Sequence, residues 1–310
     1  MIRIALQSIA IWWYNNMGQS LYRWSSAESP LIFSLRTQSY HHSTLVRGYE
    51  LSKVESDTML PVTALCEFLF CKRCFYTVYK TGLPKPNTKN AIVGRVLHEI
   101  HMQLLSREYE LVSKFSFGEG LEETAYRYII EAKDILYHMH RDFEEAFKRL
   151  GLKWEDELQR IQEHIEITSL EWANWIRELA IIHRVDGVEL ARICIPYRRF
   201  EEYYKAPDLA LCGKVDVIEN GIPVEVKAGK APLIGIYSLH ALQLIWYALL
   251  IEYIERKDVN YAEVYYAKKF ERRKLVLTQE LRRWALSVRD FALELLKRSP
   301  EEVNERCFHM

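Results

Sequence analysis

Apolar positions recur at helical spacing through most of the chain and at alternate positions through a shorter part of it. Residues 60–79 carry the helical period around Cys66, Cys71 and Cys74 and end in the Gly- and Pro-rich loop 81–87. The same period covers 92–105. It returns over 121–150, where Ala125, Ile129, Ala132, Leu136, Met139, Phe143 and Phe147 share one face and Gly151 supplies a stop. Another helix is predicted over 154–182. The period then changes to two, which predicts strands over 188–197, 211–218 and 222–228. A helix over 238–255, a strand pair over 262–267 and 274–277, and a closing helix over 281–297 complete the pattern. Helices followed by a small sheet that is interrupted and covered by helices predict an α/β or α+β core. Residues 1–58 show no period and read as an irregular N-terminal extension.

Composition narrows the function classes. With 310 residues, 49% hydrophobic and 27% charged, the chain is globular, and its 39 aromatic residues imply a substantial core. The 42 basic residues balance the 42 acidic ones, so no whole-molecule field recruits a polyanion and any nucleic-acid contact must be local. No run reaches the roughly 18 to 20 apolar residues of a membrane span. The apolar stretch 4–14 is broken by Gln7 and Ser8, unlike a signal peptide. Six unevenly placed cysteines do not suit a secreted disulfide scaffold, and a reducing cytoplasm is expected.

The segment 213–227 is the most informative. Asn220-Gly221 lies between two alternating apolar runs and signals a two-residue hairpin with a type I′ turn. In that register Asp216 stands opposite Glu225 in a non-hydrogen-bonded pair, with Cα atoms roughly 4.5 Å apart. Val215, Val217, Val224 and Val226 then share one face, and Lys214, Asp216, Glu225 and Lys227 the other. Facing carboxylates repel unless a cation sits between them, and a hard divalent ion is the natural occupant. Lys227 on the same face can orient or deprotonate a water. A solvated sheet face would carry the same residue types, and a one-residue slip would separate the acids.

An Asp followed by a spaced Glu-x-Lys on a hairpin resembles the RecB-type PD-(D/E)xK nucleases. The likeness extends to Gly94-Arg95-Val96-Leu97-His98-Glu99, similar to the family's helix with a metal-binding His, and to Gln243-Leu244-Ile245-Trp246-Tyr247, similar to its Gln-x-x-x-Tyr helix. The run Cys71-Lys72-Arg73-Cys74-Phe75-Tyr76 resembles the CRISPR-associated Cas-four and Csa-type exonucleases in particular. The resemblance implies a restriction-endonuclease-type core, a small mixed sheet flanked by helices, over residues 59–310, with a helical insertion at about 106–185. It implies that His98, Asp216 and Glu225 hold Mg²⁺ or Mn²⁺, that Lys227 serves the attacking water, and that Gln243 and Tyr247 position the substrate.

The same relatives hold an iron-sulfur cluster, with one cysteine before the His helix and three near the C-terminus. This chain instead has Cys66, Cys71 and Cys74 upstream and only Cys307 near its end. Those four could bind an iron-sulfur cluster or zinc, whereas Cys194 and Cys212 read as strand-core residues. Lys268, Lys269, Arg272, Arg273 and Lys274 are expected at a basic tip between two strands, where they could follow a phosphate backbone. Lys72, Arg73, Lys85 and Lys89 form a second basic strip. The function implied is a DNA exonuclease acting on single-stranded or overhanging DNA in CRISPR spacer acquisition, with integrase proteins as partners and no membrane. The alternatives are a non-catalytic DNA-binding scaffold that keeps the fold and a RecB-like repair nuclease.

Overall fold

Asn220 and Gly221 adopt φ of 50° and 87°, the left-handed pair that a type I′ turn requires. The expected register follows: Glu219 pairs with Ile222, Ile218 with Pro223 and Val217 with Val224. This hairpin organises the fold. A computed structural model describes residues 43–46, 49–52, 58–83, 88–300 and 303 of the chain. The chain divides into two units, residues 1–53 and 54–310. Within the first, β1 (Ser43–Val46) and β2 (Tyr49–Ser52) pair antiparallel, so part of the extension read as irregular is a hairpin.

The second unit begins with β3 (Leu60–Pro61), α1 (Val62–Phe70) and α2 (Lys72–Thr81). Sequence spacing predicts one helix here. The chain instead breaks at Cys71, whose backbone is extended and whose Sγ accepts the Cys74 N–H at 3.3 Å as a cap on α2. Then come α3 (Lys89–Ser113), which starts before and runs well past the predicted 92–105, and α4 (Leu121–Arg149) and α5 (Trp154–His183), close to the predicted spans. Gly151, at φ 65°, follows the end of α4. The strand expected over 188–197 is a helix, α6 (Gly187–Cys194), which buries Leu190 and Ala191 in the helical core. The real strand follows as β4 (Arg198–Ala206), hidden in the sequence by its Arg, Glu and Lys content.

The sheet continues with β5 (Leu211–Glu219), β6 (Ile222–Lys227), β7 (Tyr261–Tyr266) and β8 (Glu271–Val276), with α7 (Ser238–Glu255) crossing from β6 to β7 and α8 (Gln279–Lys297) at the end. This is a mixed α/β fold. The order is β3-β5-β6-β7-β8, and β4 runs along the whole of β5. Since β4 takes one edge of β5, β3 and β6 must share the other: β3 pairs in parallel at Leu211 and Cys212, and β6 pairs at 217–219. Residues 213–216 face the interval between them.

Two layers of helix cover the sheet. On one side Met102 and Leu105 of α3 pack on Val217, Val224 and Val226, and a larger core joins α3 to α4, α5 and α6 around Trp172 and Phe147. Fully burying side chains of this kind contributes about 1.5–3 kcal/mol each. On the other side α7 packs against β4, β5, β6 and β7. Gly213 gives α7 and α1 close access there. A Cβ at that position would stand 3.0 Å from the Tyr247 ring and 3.1 Å from Val62.

Candidate active site

The β5/β6 ladder stops one pair before Asp216 and Glu225. In a two-residue hairpin of this register the next hydrogen-bonded pair would join Val226 N–H to Val215. Instead the Asp216 carboxylate accepts the Val226 N–H at 3.0 Å. The strands therefore part at Asp216, and its side chain fills the opening.

Side chains from four elements, α3, β5, β6 and α7, meet at that opening. His98 on α3 lies with Nε2 3.1 Å from Asp216 Oδ2. Lys227 Nζ donates to Glu225 Oε1 at 2.5 Å and to Gln243 Oε1 on α7 at 3.1 Å. Gln243 Nε2 in turn donates to the Tyr247 hydroxyl at 3.2 Å, which the i, i+4 spacing on one helix allows. The structure thus brings His98, Asp216, Glu225, Lys227, Gln243 and Tyr247 together. Sequence reasoning supplied all six but missed the Val226 N–H. A backbone group leaves no signature in the side-chain pattern.

The electrostatics follow from burial. Glu225 is 2% exposed, and its pKa is pushed up to about 7, first by burial and then by the negative charge of Asp216. Its Oε2 is buried with no hydrogen-bond partner. Burial works against a charged His98 imidazole, but the bond and charge of Asp216 outweigh it and raise the pKa. Burial likewise opposes a charged Lys227, and the charge and hydrogen bond of Glu225 overcome it, so the amine stays protonated. The Tyr247 hydroxyl is held neutral by burial and by the two carboxylates.

Among the described residues, no three His, Cys, Asp or Glu side chains already form a metal cage. Here the bonds show why: Lys227 occupies one Glu225 oxygen, and Asp216 Oδ2 is shared by His98 and Val226. The donors nevertheless fit a hard divalent cation. Two carboxylates and an imidazole converge, one carboxylate oxygen is buried without a partner, and a cation between the acids would relieve both costs.

Beneath the site, His101 Nε2 lies 2.7 Å from His164 Nε2, tying α3 to α5. Burial drives both pKa values down, His164 to about 4. Across from Lys227, the His240 ring meets the Tyr266 hydroxyl at 3.1 Å, and burial with the Lys227 charge pushes it down to about 3.

The remaining candidates fall elsewhere. Cys66, Cys71 and Cys74 lie on or between α1 and α2, and Cys307 lies outside the described residues. Cys212 is buried in β5 as a strand residue, whereas Cys194 ends a helix, not a strand, and burial raises its pKa. The basic tip is shorter than expected, a single 3-10 turn at Ala267–Lys269 that leaves Lys268 and Lys269 exposed. Arg272, Arg273 and Lys274 belong to β8 and are engaged. Arg272 grips Glu219 at 2.5 and 2.8 Å, Arg273 holds Glu271 at 2.8 and 3.0 Å, and Lys274 sits over the Tyr261 ring at 4.0 Å. In the second strip, Lys89 pairs with Glu157 and Lys85 lies outside the described residues.

Among the described residues, no helix is long and apolar enough to cross a membrane. A family model described as the PD-(D/E)XK nuclease superfamily matches residues 60–309. No curated protein matches the chain.

Proposed function

The chain belongs to the PD-(D/E)XK nuclease superfamily, whose members are mostly metal-dependent nucleases, and from this we propose that it hydrolyses DNA phosphodiester bonds with a divalent cation, Mg²⁺ or Mn²⁺. The observation that carries the reading is the meeting of His98, Asp216, Glu225 and Lys227 in the opening between β5 and β6. Asp216, Glu225 and His98 would hold the metal, which when bound offsets phosphate charge and acidifies a water.

The chain's own residues do the rest. Asp216 is fixed through Oδ2 by the Val226 N–H and by His98, which holds the carboxylate at the opening. Glu225 accepts from Lys227 through Oε1 and keeps Oε2 for a ligand. Lys227, as a protonated donor, orients an attacking water or offsets the charge that grows on the phosphate. Gln243 holds Lys227 in place, and Tyr247 holds Gln243.

A finer reading is an exonuclease of the Cas-four or Csa type, cytoplasmic, acting on single-stranded or overhanging DNA in CRISPR spacer acquisition beside integrase proteins. It is supported by the Cys71-Lys72-Arg73-Cys74 run ahead of the His98 helix. On that reading Cys66, Cys71, Cys74 and Cys307 bind an iron-sulfur cluster or zinc, which iron, sulfide and zinc assays on anaerobically purified protein would test.

The deciding experiment is a cleavage assay with Mg²⁺ and Mn²⁺. Asp216→Ala, Glu225→Ala and Lys227→Ala should each abolish cleavage, and unchanged cleavage in all three refutes the assignment.

A further inference from the structure

The loop 228–237 joins Lys227 at the end of β6 to α7, the helix that carries Gln243. Its base is firmly held. Ile236 is buried, Arg273 donates to the Gly235 carbonyl, and the Tyr266 hydroxyl accepts the Tyr237 N–H at 3.5 Å. Its tip is the reverse. Leu233 is 89% exposed, more than any other large apolar side chain among the described residues, and Ile234 beside it is 77% exposed. Pro232 fixes the backbone just before the pair. Lys230, also exposed, supplies a positive charge on the same loop.

A chain folded in water gains by hiding such residues, so a loop held at its base that leads directly out of Lys227 and displays two of them is suited to a ligand. Two side chains are far too small an area for a stable protein interface, but they match the face of one base pair. Bases are also the largest apolar surface that a nucleic-acid substrate presents. Leu233 lies six residues from Lys227, within about 20 Å of it even in a fully extended chain.

We propose that Leu233 and Ile234 form an apolar wedge that enters the end of a DNA duplex, unstacks the terminal base pair and feeds one strand to the opening between β5 and β6. Lys230 meets the phosphate of the entering strand. This rests on the nuclease reading above. Inserted apolar side chains open base steps in this way elsewhere, and the cost of unstacking is recovered in contacts.

The test uses the full chain and a Leu233→Ser/Ile234→Ser variant, whose altered positions carry no packing. Three substrates are compared: a blunt duplex, the same duplex with two mismatched terminal pairs, and a single strand. In the variant the ratio of blunt-duplex to single-strand cleavage should fall about tenfold, and the mismatched end should restore it. A 2-aminopurine at the duplex end should brighten on binding wild-type protein in metal-free buffer, and not on binding the variant. An unchanged ratio together with equal brightening overturns the wedge, and leaves a partner protein as the occupant of this tip. Absence of metal-dependent cleavage of every substrate by wild-type protein overturns the nuclease reading instead, and the fluorescence signal then separates the two failures.

Discussion

Asp216 accepts the Val226 N–H at 3.0 Å, so the residue that would ligate the metal is also the one that stitches the parted strands. Its two roles are separable. Asp216→Ala removes ligand and stitch together and should cost about 1–3 kcal/mol by leaving a backbone donor unpaired. Asp216→Asn keeps an acceptor oxygen, so denaturant unfolding should show most of that stability regained while cleavage stays abolished. Equal instability in both variants would contradict the stitch.

Metal binding should release protons. In the metal-free chain Glu225 titrates near pH 7 instead of near 4.5, and His98 is held protonated above its ordinary range. Between about pH 4.5 and 7 the folded chain keeps a Glu225 proton that the unfolded chain has lost, so this group weakens the fold as pH rises through that window. A cation must displace the same proton. Affinity for Mn²⁺ should therefore rise with pH, by up to about tenfold per pH unit for each of the two protons displaced, from Glu225 and His98, until both groups are deprotonated. Calorimetry in buffers of different ionisation enthalpy checks this. Glu225→Gln should bind weakly and lose the steep dependence.

Gly213→Ala should disturb the site from behind. The added methyl would stand 3.0 Å from the Tyr247 ring and 3.1 Å from Val62, so both side chains must give by a few tenths of an ångström. A loss of about 1–3 kcal/mol in unfolding free energy is expected, with a lower cleavage rate because Tyr247 positions Gln243. Pairing the change with Val62→Ala should recover part of both.

Arg272 and the Lys268/Lys269 pair should separate cleanly. Arg272→Ala breaks the grip on Glu219, which Arg198 also holds at 2.7 Å, and should cost about 1–3 kcal/mol. It should leave the salt dependence of DNA binding alone. Lys268→Ala/Lys269→Ala should leave stability alone and flatten the log-log salt dependence by up to about two units.

The paired imidazoles His101 and His164 should make the fold acid-sensitive. Their pKa values are depressed, so below about pH 6.5 the unfolded chain takes up protons that the folded chain refuses, and the pair's contribution falls toward pH 4. The unfolding free energy of a His101→Leu/His164→Leu variant, relative to wild type, should therefore improve steadily as pH drops through that range.

Where local rules govern, the sequence was legible. The Asn220-Gly221 turn fixes the register that brings Asp216 and Glu225 near each other, and α7 spans the predicted residues. Gln243 and Tyr247 were findable because four residues make one helical turn. What failed depended on context. Residues 188–194 are apolar enough for a strand, but Leu190 and Ala191 fit the helical core, while β4 looks like surface because its charges pair with distant partners: Arg198 with Glu108 and Arg199 with Glu255. In the basic run at 268–274 the tip is shorter than the residue pattern implies for the same reason. Charge counts do not reveal that Glu219 and Glu271 already hold its arginines.

The shared edge of β5 bears on when the site can exist. His98 and Asp216 are 118 residues apart, and β3 can dock beside Leu211 only after all the intervening helices have been made. Contacts of such long sequence separation close late in folding, since their loops carry the largest entropic cost. On the ribosome, or after partial unfolding, the chain would hold every reactive side chain and no reactive centre. On the proposed function, cleavage competence is then a last-formed property of the molecule.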